Sequence, residues 1–334
     1  MKLCSWNVEH LDRLIKPNLQ NHEIDRRHAV VEEIRAIDAD VYCILEGPKG
    51  EAAIEEVCNN LLGGDWLPVK APDGEYDTSG KQWIWFLVKR QYHDACSLLP
   101  TKTWDAFTET SWPVHLWGKF EAKQHQHYRH PQVLIMDIDG VRAEFIGLHL
   151  KSKFVRSGSS DWNAGGSRKE DFIRRALTAR IKLTTEAANV RKYINAKFDQ
   201  TTAPAIFVMG DLNDGPGKEY FENEFLFFDL ISNVQGNIFE ADRFLNHALF
   251  DYPDHLRWSV KFKDFVDPSR DPHILLDHIL FTQGLVNGRL PIEVKPGAGK
   301  IEHEIHELIN APLTISRKTS DHRPVSVEIT NIVD

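Results

Sequence analysis

One short stretch constrains this chain more than any other: Val208-Met209-Gly210-Asp211-Leu212-Asn213-Asp214. The apolar run 205–209 stops abruptly at Gly-Asp-x-Asn-Asp, and Gly215-Pro216-Gly217 follows. A short apolar run closed by turn residues reads as a buried strand. Such a strand delivers Asp211 and Asn213 to its open end. Side chains two apart on a strand point the same way, so a carboxylate and an amide are expected to face one spot. Oxygen ligands of that kind suit hard divalent cations and phosphate chemistry.

The rest of the chain alternates strands with helical patterns. Residues 3–8 read as a first strand ending in Asn7-Val8-Glu9-His10, and a polar, irregular connection follows. Residues 24–38 carry a helical apolar face (Val30, Val31, Ile34, Ile37), and 41–45 form a buried strand that ends at Glu46. A second helix is marked by Ile54, Val57 and Leu61 and closed by Gly63-Gly64. Residues 83–88 are a further strand. The stretch 91–131 reads as packed but irregular around Trp104, Phe107, Trp112 and Trp117. Asp139-Gly140 joins strands 133–138 and 141–148 as a hairpin, and the second strand ends in His149. The Gly- and Ser-rich residues 157–167 read as a mobile loop before a long helix over 168–198, whose inner face is Ile173, Leu177, Leu183, Ala187, Val190 and Ile194. Apolar 225–230 precedes an irregular stretch, 251–271. Residues 274–281 form a strand carrying Asp277-His278, 291–309 is ambiguous, and 324–329 alternates with Val325, Val327 and Ile329 inward.

A solvated carboxylate at one strand end usually has a bland explanation, as a turn or cap. Here the ends supply Asn7, Glu46, His149, Asp211 with Asn213, Asp277 and Asp321-His322. Polar residues at the ends of buried strands gather at one edge of a sheet system. The set, in its order, resembles the endonuclease/exonuclease/phosphatase superfamily, with its deoxyribonuclease-I-like fold. The matching pieces are SWNV at the N-terminus, the strand ending in Glu46, HLKS from His149, GDLND from Asp211, LLDHILF around Asp277 and SDHRP from Ser320. They span nearly the whole chain.

The resemblance implies a four-layer α/β sandwich, two packed mixed β-sheets flanked by helices, with the active site at one end of the sheets. By position, Glu46 would hold a catalytic Mg2+ or Mn2+, with Asn7 and Asp321 completing or supporting that site. Asp211 would orient or deprotonate the attacking water, and Asn213 would hold water or phosphate. His322 would contact the scissile phosphate with Asp277 fixing its tautomer, and His149 would be a second phosphate-contacting imidazole. Either His322 or Asp211 could take the water's proton. The chemistry supports this assignment independently. A phosphodiester repels hydroxide, so its hydrolysis near neutral pH needs a cation on the phosphorus oxygens and a group to activate water. A His–Asp pair suits proton handling near pH 7. Tyr128 is the candidate, by proximity to Arg129-His130-Pro131, for a tyrosine that some nuclease branches carry mid-chain.

No repeat or linker divides the chain, so 1–334 reads as one domain with variable loops at about 91–131, 151–168 and 230–272. A formal net charge of -9 argues against a broadly basic, nucleic-acid-coating surface. Bound cations can nevertheless neutralise phosphates locally. Lys151, Lys153, Arg156, Arg168, Arg174 and Arg175 concentrate positive charge after His149, either as a solvated helix face or as a phosphate-guiding rim. Lys151 and Arg168, with Arg129, are the expected substrate-binding residues. The substrate expected is nucleic acid, DNA foremost. A small-molecule or lipid phosphoester is the alternative, and an inactive binding module on the same fold is the third reading. Cys4 and Cys43, in apolar runs, read as buried thiols. No stretch approaches the roughly 18 apolar residues of a membrane span. With no signal-like start after Met1, the cytoplasm is the expected location, and no obligate protein partner is evident.

Four features point elsewhere. His125, His127 and His130 read as a polar surface loop, with a soft-metal site as the sharper possibility. His303-Glu304-Ile305-His306-Glu307 resembles a zinc-protease helix, but its histidines are three apart where that motif needs four. His10 either makes a structural hydrogen bond or lines the site. Trp162 either anchors its loop or stacks on a base.

Overall fold

The computed structural model describes residues 1–116, 118, 121–216, 219–225 and 229–332. Two six-stranded mixed sheets face each other. The first has the order Gly299–Ile301, Val325–Glu328, Lys2–Asn7, Val41–Gly47, Trp83–Lys89, Trp66–Pro68. The second has the order Asn246–His247, Asp277–Phe281, Ala205–Asp211, Val141–His149, Gln132–Ile138, Cys96–Leu98. With helices on their outer faces they make the four-layer α/β sandwich that the resemblance implied.

The layers follow from side chains alternating between the two faces of each central strand, both of which are buried. In Val141–His149, Phe145 points between the sheets and Ile146 points outward; in Ala205–Asp211, Phe207 and Val208 divide in the same way. Phe145 and Phe207 stack with centroids 5.0 Å apart in the inter-sheet core. Gly147 is closely faced by the other sheet: a Cβ there would stand 2.8 Å from Cys43 Sγ. Ile146 and Val208 are covered instead by Leu183, Ala187, Val190 and Ile194 of the helix Gly166–Gln200. The first sheet is covered by the helix Asn21–Ile37, where Tyr42 Oη donates to Ile34 O at 2.6 Å. The helix His303–Asn310 joins it through a buried His306–Glu33 contact of 2.8 Å. His303 uses both ring nitrogens, Nε2 at 2.6 Å from Leu256 O and Nδ1 with Arg323, and among the described residues no metal-type cluster includes His303 or His306.

Several expectations are corrected. The 157–167 segment is not a loop but the helix Gly158–Ala164, followed at once by the long helix. Side chains order it: Asp161 binds Arg168 and Arg175, and Trp162 packs edge-on against Phe172 and Tyr220. The 91–131 stretch contains the edge strand Cys96–Leu98, the helix Thr101–Asp105 and a hairpin of Trp112–His115 with Ala122–His125. Trp117, expected to pack there, lies outside the described residues. His127 and His130 are buried rather than on a surface loop, because the hairpin folds onto the long helix and brings His125 to 2.9 Å from Glu186. The second helix starts as its pattern suggests and then widens: Glu51–Glu56 is α-helical and Val57–Leu61 is π-helical. Cys4 and Cys43 are fully buried thiols, as expected.

The turn residues do what their chemistry allows. Asp139 (φ 52) and Gly140 (φ 80) make the left-handed hairpin turn. Gly210, at φ 145, lies against the backbone carbonyl of Leu148, and a Cβ there would overlap that oxygen. Neither neighbouring strand can withdraw without opening the sheet. Gly210→Ala is therefore expected to lower stability by about 3 kcal/mol or more. A fall in the urea midpoint with unchanged slope would show it; an unchanged midpoint would refute it.

Candidate active site

Strand register assembles the site. Ala205–Asp211 pairs in parallel with Val141–His149 and antiparallel with Asp277–Phe281, so Asp211 stands level with His149 on one side and Asp277 on the other. The first sheet brings its own set to the same end. Lys2–Asn7 runs parallel to Val41–Gly47 with Asn7 opposite Leu45, next to Glu46. Asp321-His322 enters just before Val325–Glu328, its segment anchored by Ser320 Oγ donating to Asn7 O at 2.7 Å and Trp6 Nε1 donating to His322 O at 3.0 Å.

Asp211 is the meeting point. Its Oδ2 accepts from Asn7 Nδ2 at 3.2 Å and lies 3.5 Å from His149 Nε2 and 3.9 Å from His322 Nε2. Its Oδ1 accepts from Asn213 N at 2.8 Å. Asp211 and Asn213 do lie together, but not by strand alternation. The strand ends at Asp211, and Asn213 adopts φ 52 in an Asx turn, with its Nδ2 donating to Leu150 O at 3.0 Å. That amide holds the loop after His149.

The electrostatics divide the groups. Burial raises the Asp211 carboxyl to about 7, against the pull of His322. Burial also drives His149 well below its ordinary range, with Arg129 and His322 adding to the effect, so it is neutral. His322 goes the other way. Burial opposes its charge, but Asp277, with Nδ1 2.7 Å from Oδ2, and Asp211 together push it to about 10. His322 is thus an imidazolium held between two carboxylates.

Glu46 sits in a β-bulge at φ 57, which turns its carboxylate out of the ladder. Its Oε2 accepts from His10 N at 3.0 Å and from Gln82 Nε2, and His10 Nδ1 lies 3.6 Å away, so His10 does line the site. Among the described residues Oε1 has no hydrogen-bond partner. Asp321 is exposed, with Oδ1 4.0 Å from His322 Nε2. A hard divalent cation fits this set by donor chemistry: a half-open Glu46 carboxylate, the Asn7 amide and the exposed Asp321 carboxylate all offer oxygen. Asp211, Asp277 and His322 also present ligand-type atoms within 4.8 Å of one another. The short Asp277–His322 contact and the full burial of Asp277 also suit that trio to holding a proton.

Arg129 is partly buried, donates Nη2 to Gln82 Oε1 at 2.7 Å, and lies within electrostatic reach of Glu46 and Asp211. Tyr128 beside it is half-exposed, and Arg129 rather than Tyr128 faces the cluster. Lys151 is partly buried, with its backbone N–H held by Glu186 and its Nζ on Ser152 O. Arg168 is drawn away from such a role: it is exposed and paired with Asp161 at 2.6 Å.

Two contributors escaped the sequence. Gln82 links Glu46 to Arg129. It precedes Trp83–Lys89, which runs antiparallel to Val41–Gly47 with Trp83 opposite Gly47, so a strand start lies beside a strand end. The available signal was a polar residue just before an apolar strand. Arg26 on the helix Asn21–Ile37 donates to Val8 O, Glu9 O and Thr319 O, tying the loop after Asn7 to the segment before His322. No local pattern could have revealed that.

No protein-family profile matches the sequence, and no curated protein sequence matches it. Solved structures do match in fold. A truncated Caenorhabditis elegans TDP2 superposes with TM-score 0.52 at 13% identity, covering 99% of this chain and 97% of that one. D. rerio TDP2, complexed with single strand DNA product, gives 0.52 at 14% identity with 99% of each chain covered. An endonuclease/exonuclease/phosphatase family protein from Leptotrichia buccalis C-1013-b gives the same three values. The chain therefore has the endonuclease/exonuclease/phosphatase fold over its length.

Asp277 sets the charge of His322, so Asp277→Asn removes the main cation-stabilising partner. The His322 pKa is expected to fall from about 10 towards its ordinary value. Titration of the imidazole by NMR in metal-free protein reads this directly, and an unchanged pKa would mean that Asp277 does not hold the ring.

Proposed function

We propose that the protein is a divalent-metal-dependent phosphodiester hydrolase acting on nucleic acid, DNA foremost. The observation that carries this reading is the convergence on Asp211 of Asn7, His149 and the Asp277–His322 pair, beside a bulged Glu46. The fold shared with D. rerio TDP2, complexed with single strand DNA product, supports the choice of polymer.

Mg2+ or Mn2+, held by Glu46 with Asn7 and Asp321, would supply charge stabilisation at the phosphate oxygens. The chain's own groups do the rest. Arg129, whose Nε has no hydrogen-bond partner among the described residues, offers donors to a phosphate oxygen. His322, already protonated and pinned by Asp277, places Nε2–H towards the same anion. Being protonated, it is poorly suited to take the water's proton. Asp211, raised to about 7, is the better base near neutral pH. Neutral His149 and Asn7 orient its carboxylate. Lys151 flanks the site as a further phosphate contact. Arg168, expected in the same role, would first have to leave Asp161.

A second reading has its own observation. A cavity of about 360 Å3 opens beside Asn213, Asp321 and His322, lined by Phe172, Phe221 and Phe265, with exposed Phe154 and Phe262 also lining it. It would accept a nucleobase, but equally an aromatic or apolar group of a small phosphoester. Four free cysteines, three of them buried, fit a reducing compartment such as the cytoplasm. No helix among the described residues is long and apolar enough to cross a membrane.

The test is cleavage of circular plasmid, single-stranded DNA and RNA with Mg2+ or Mn2+. Turnover that EDTA stops is expected. Asp211→Asn, Glu46→Ala and His322→Ala should each reduce it by about 100- to 1000-fold or more, with the fold intact. Wild-type rates in His322→Ala at saturating Mg2+ would overturn the assignment. Folded protein that cleaves no polymer but hydrolyses a small phosphoester would establish the second reading.

A further inference from the structure

The histidine-rich stretch leading into Gln132–Ile138 is left unused by the hydrolytic site, and its polar atoms do not balance. His130 Nδ1 lies 2.7 Å from Pro131 O. A carbonyl oxygen only accepts, so Nδ1 carries the proton and, in the neutral ring, Nε2 carries a lone pair. That Nε2 is buried, has no hydrogen-bond partner among the described residues, and lies 3.6 Å from Asp105 Oδ1. In the neutral ring two acceptors thus face each other. His127 is 7% exposed; its Nδ1 lies 3.9 Å from Glu186 Oε2, and among the described residues neither ring nitrogen has a hydrogen-bond partner. Both imidazoles open onto one polar cavity of about 410 Å3, together with Asp77, Asp105 and Glu109.

A buried lone pair aimed at a carboxylate needs a cation to join them. A proton on His130 Nε2 would join that pair but would leave His127 unsatisfied. We propose that His130 Nε2, Asp105 and His127 form a second metal site, for a borderline-soft divalent ion of the Zn2+ class. Zinc takes imidazole nitrogen and carboxylate oxygen at about 2.0–2.2 Å, which puts tetrahedral ligand atoms roughly 3.3 Å apart. The 3.6 Å His130–Asp105 gap is close to that spacing. His127 closes the set by a side-chain movement within the shared cavity, and water fills the remaining position. The backbone carbonyl on Nδ1 is the outer partner that a metal-bound histidine ordinarily has. The nitrogen-rich donors separate this site from the oxygen donors around Glu46.

Its place in the fold gives it a consequence. Asp105 ends the short helix Thr101–Asp105, and His127 and His130 follow the hairpin, so the ion would pin this insertion to the second sheet. Arg129, between the two histidines, is the residue that reaches the hydrolytic site.

The experiment uses the full chain carrying Asp211→Asn and His322→Ala, which removes zinc ligands from the hydrolytic cluster. Protein is loaded with Zn2+ and dialysed against excess Mg2+, zinc is counted by elemental analysis, and anomalous scattering locates it in crystals. One zinc per chain beside His130 Nε2 is expected, with affinity falling tenfold or more in both Asp105→Asn and His130→Ala. If His130→Ala does not fold, the near-isosteric Asp105→Asn decides. No retained zinc, zinc found elsewhere, or equal retention in Asp105→Asn would overturn the proposal.

Discussion

The structure depends on burying one carboxylate. Asp211 ends a strand that is buried along its whole length, and it takes its partners from three directions. Asn7 reaches it from the opposite sheet, His149 from the neighbouring strand, and Asn213 from its own turn. A carboxylate out of water resists ionisation unless it is hydrogen-bonded or paired. The partners present suffice to bring its pKa near neutrality rather than to restore its ordinary acidity. Its tension with His322 follows from the same burial. The imidazolium is stable because two carboxylates face it, and each of those is tolerable because the imidazolium is there.

That arrangement explains why the two sheets must be held in fixed relation. Asp277 belongs to one sheet and His322 enters the other, so their 2.7 Å contact spans the sandwich. Asn7 and Asp211 span it again at 3.2 Å. The inter-sheet core behind them is tightly packed around Gly147, Phe145 and Phe207. A shift of one sheet would lengthen both contacts together. Around this base, the variable segments carry groups to the rim of the site: Arg129 after the hairpin insertion, Lys151 from the loop after His149, and Phe262 from the stretch after Trp258.

Much of the fold was legible because its central strands are short, apolar and punctuated. The runs ending at Asn7, Glu46, His149 and Asp211, and the alternating Val325–Val327–Ile329, each announce a buried strand. Legibility failed where order comes from distant side chains. Residues 157–167 have a loop's composition, yet Asp161 finds Arg168 and Arg175 and Trp162 finds Tyr220, and the segment is helical. His127 and His130 read as surface residues because nothing local shows a hairpin folding over the long helix.

The sequence by itself determined which residues stand at strand ends, and so the chemistry available at one edge: carboxylates, amides and imidazoles in order along the chain. Only the tertiary structure decided which of them touch. Register set His149 and Asp277 on either side of Asp211, antiparallel pairing carried Gln82 to Glu46, and helix packing brought Arg26 across two loops. The physical reason is that composition and periodicity are local, whereas the charge of a buried group is set by neighbours tens to hundreds of residues away. Asp277 and His322 are separated by 45 positions and Asn7 and Asp211 by 204, yet each pair is within hydrogen-bond distance.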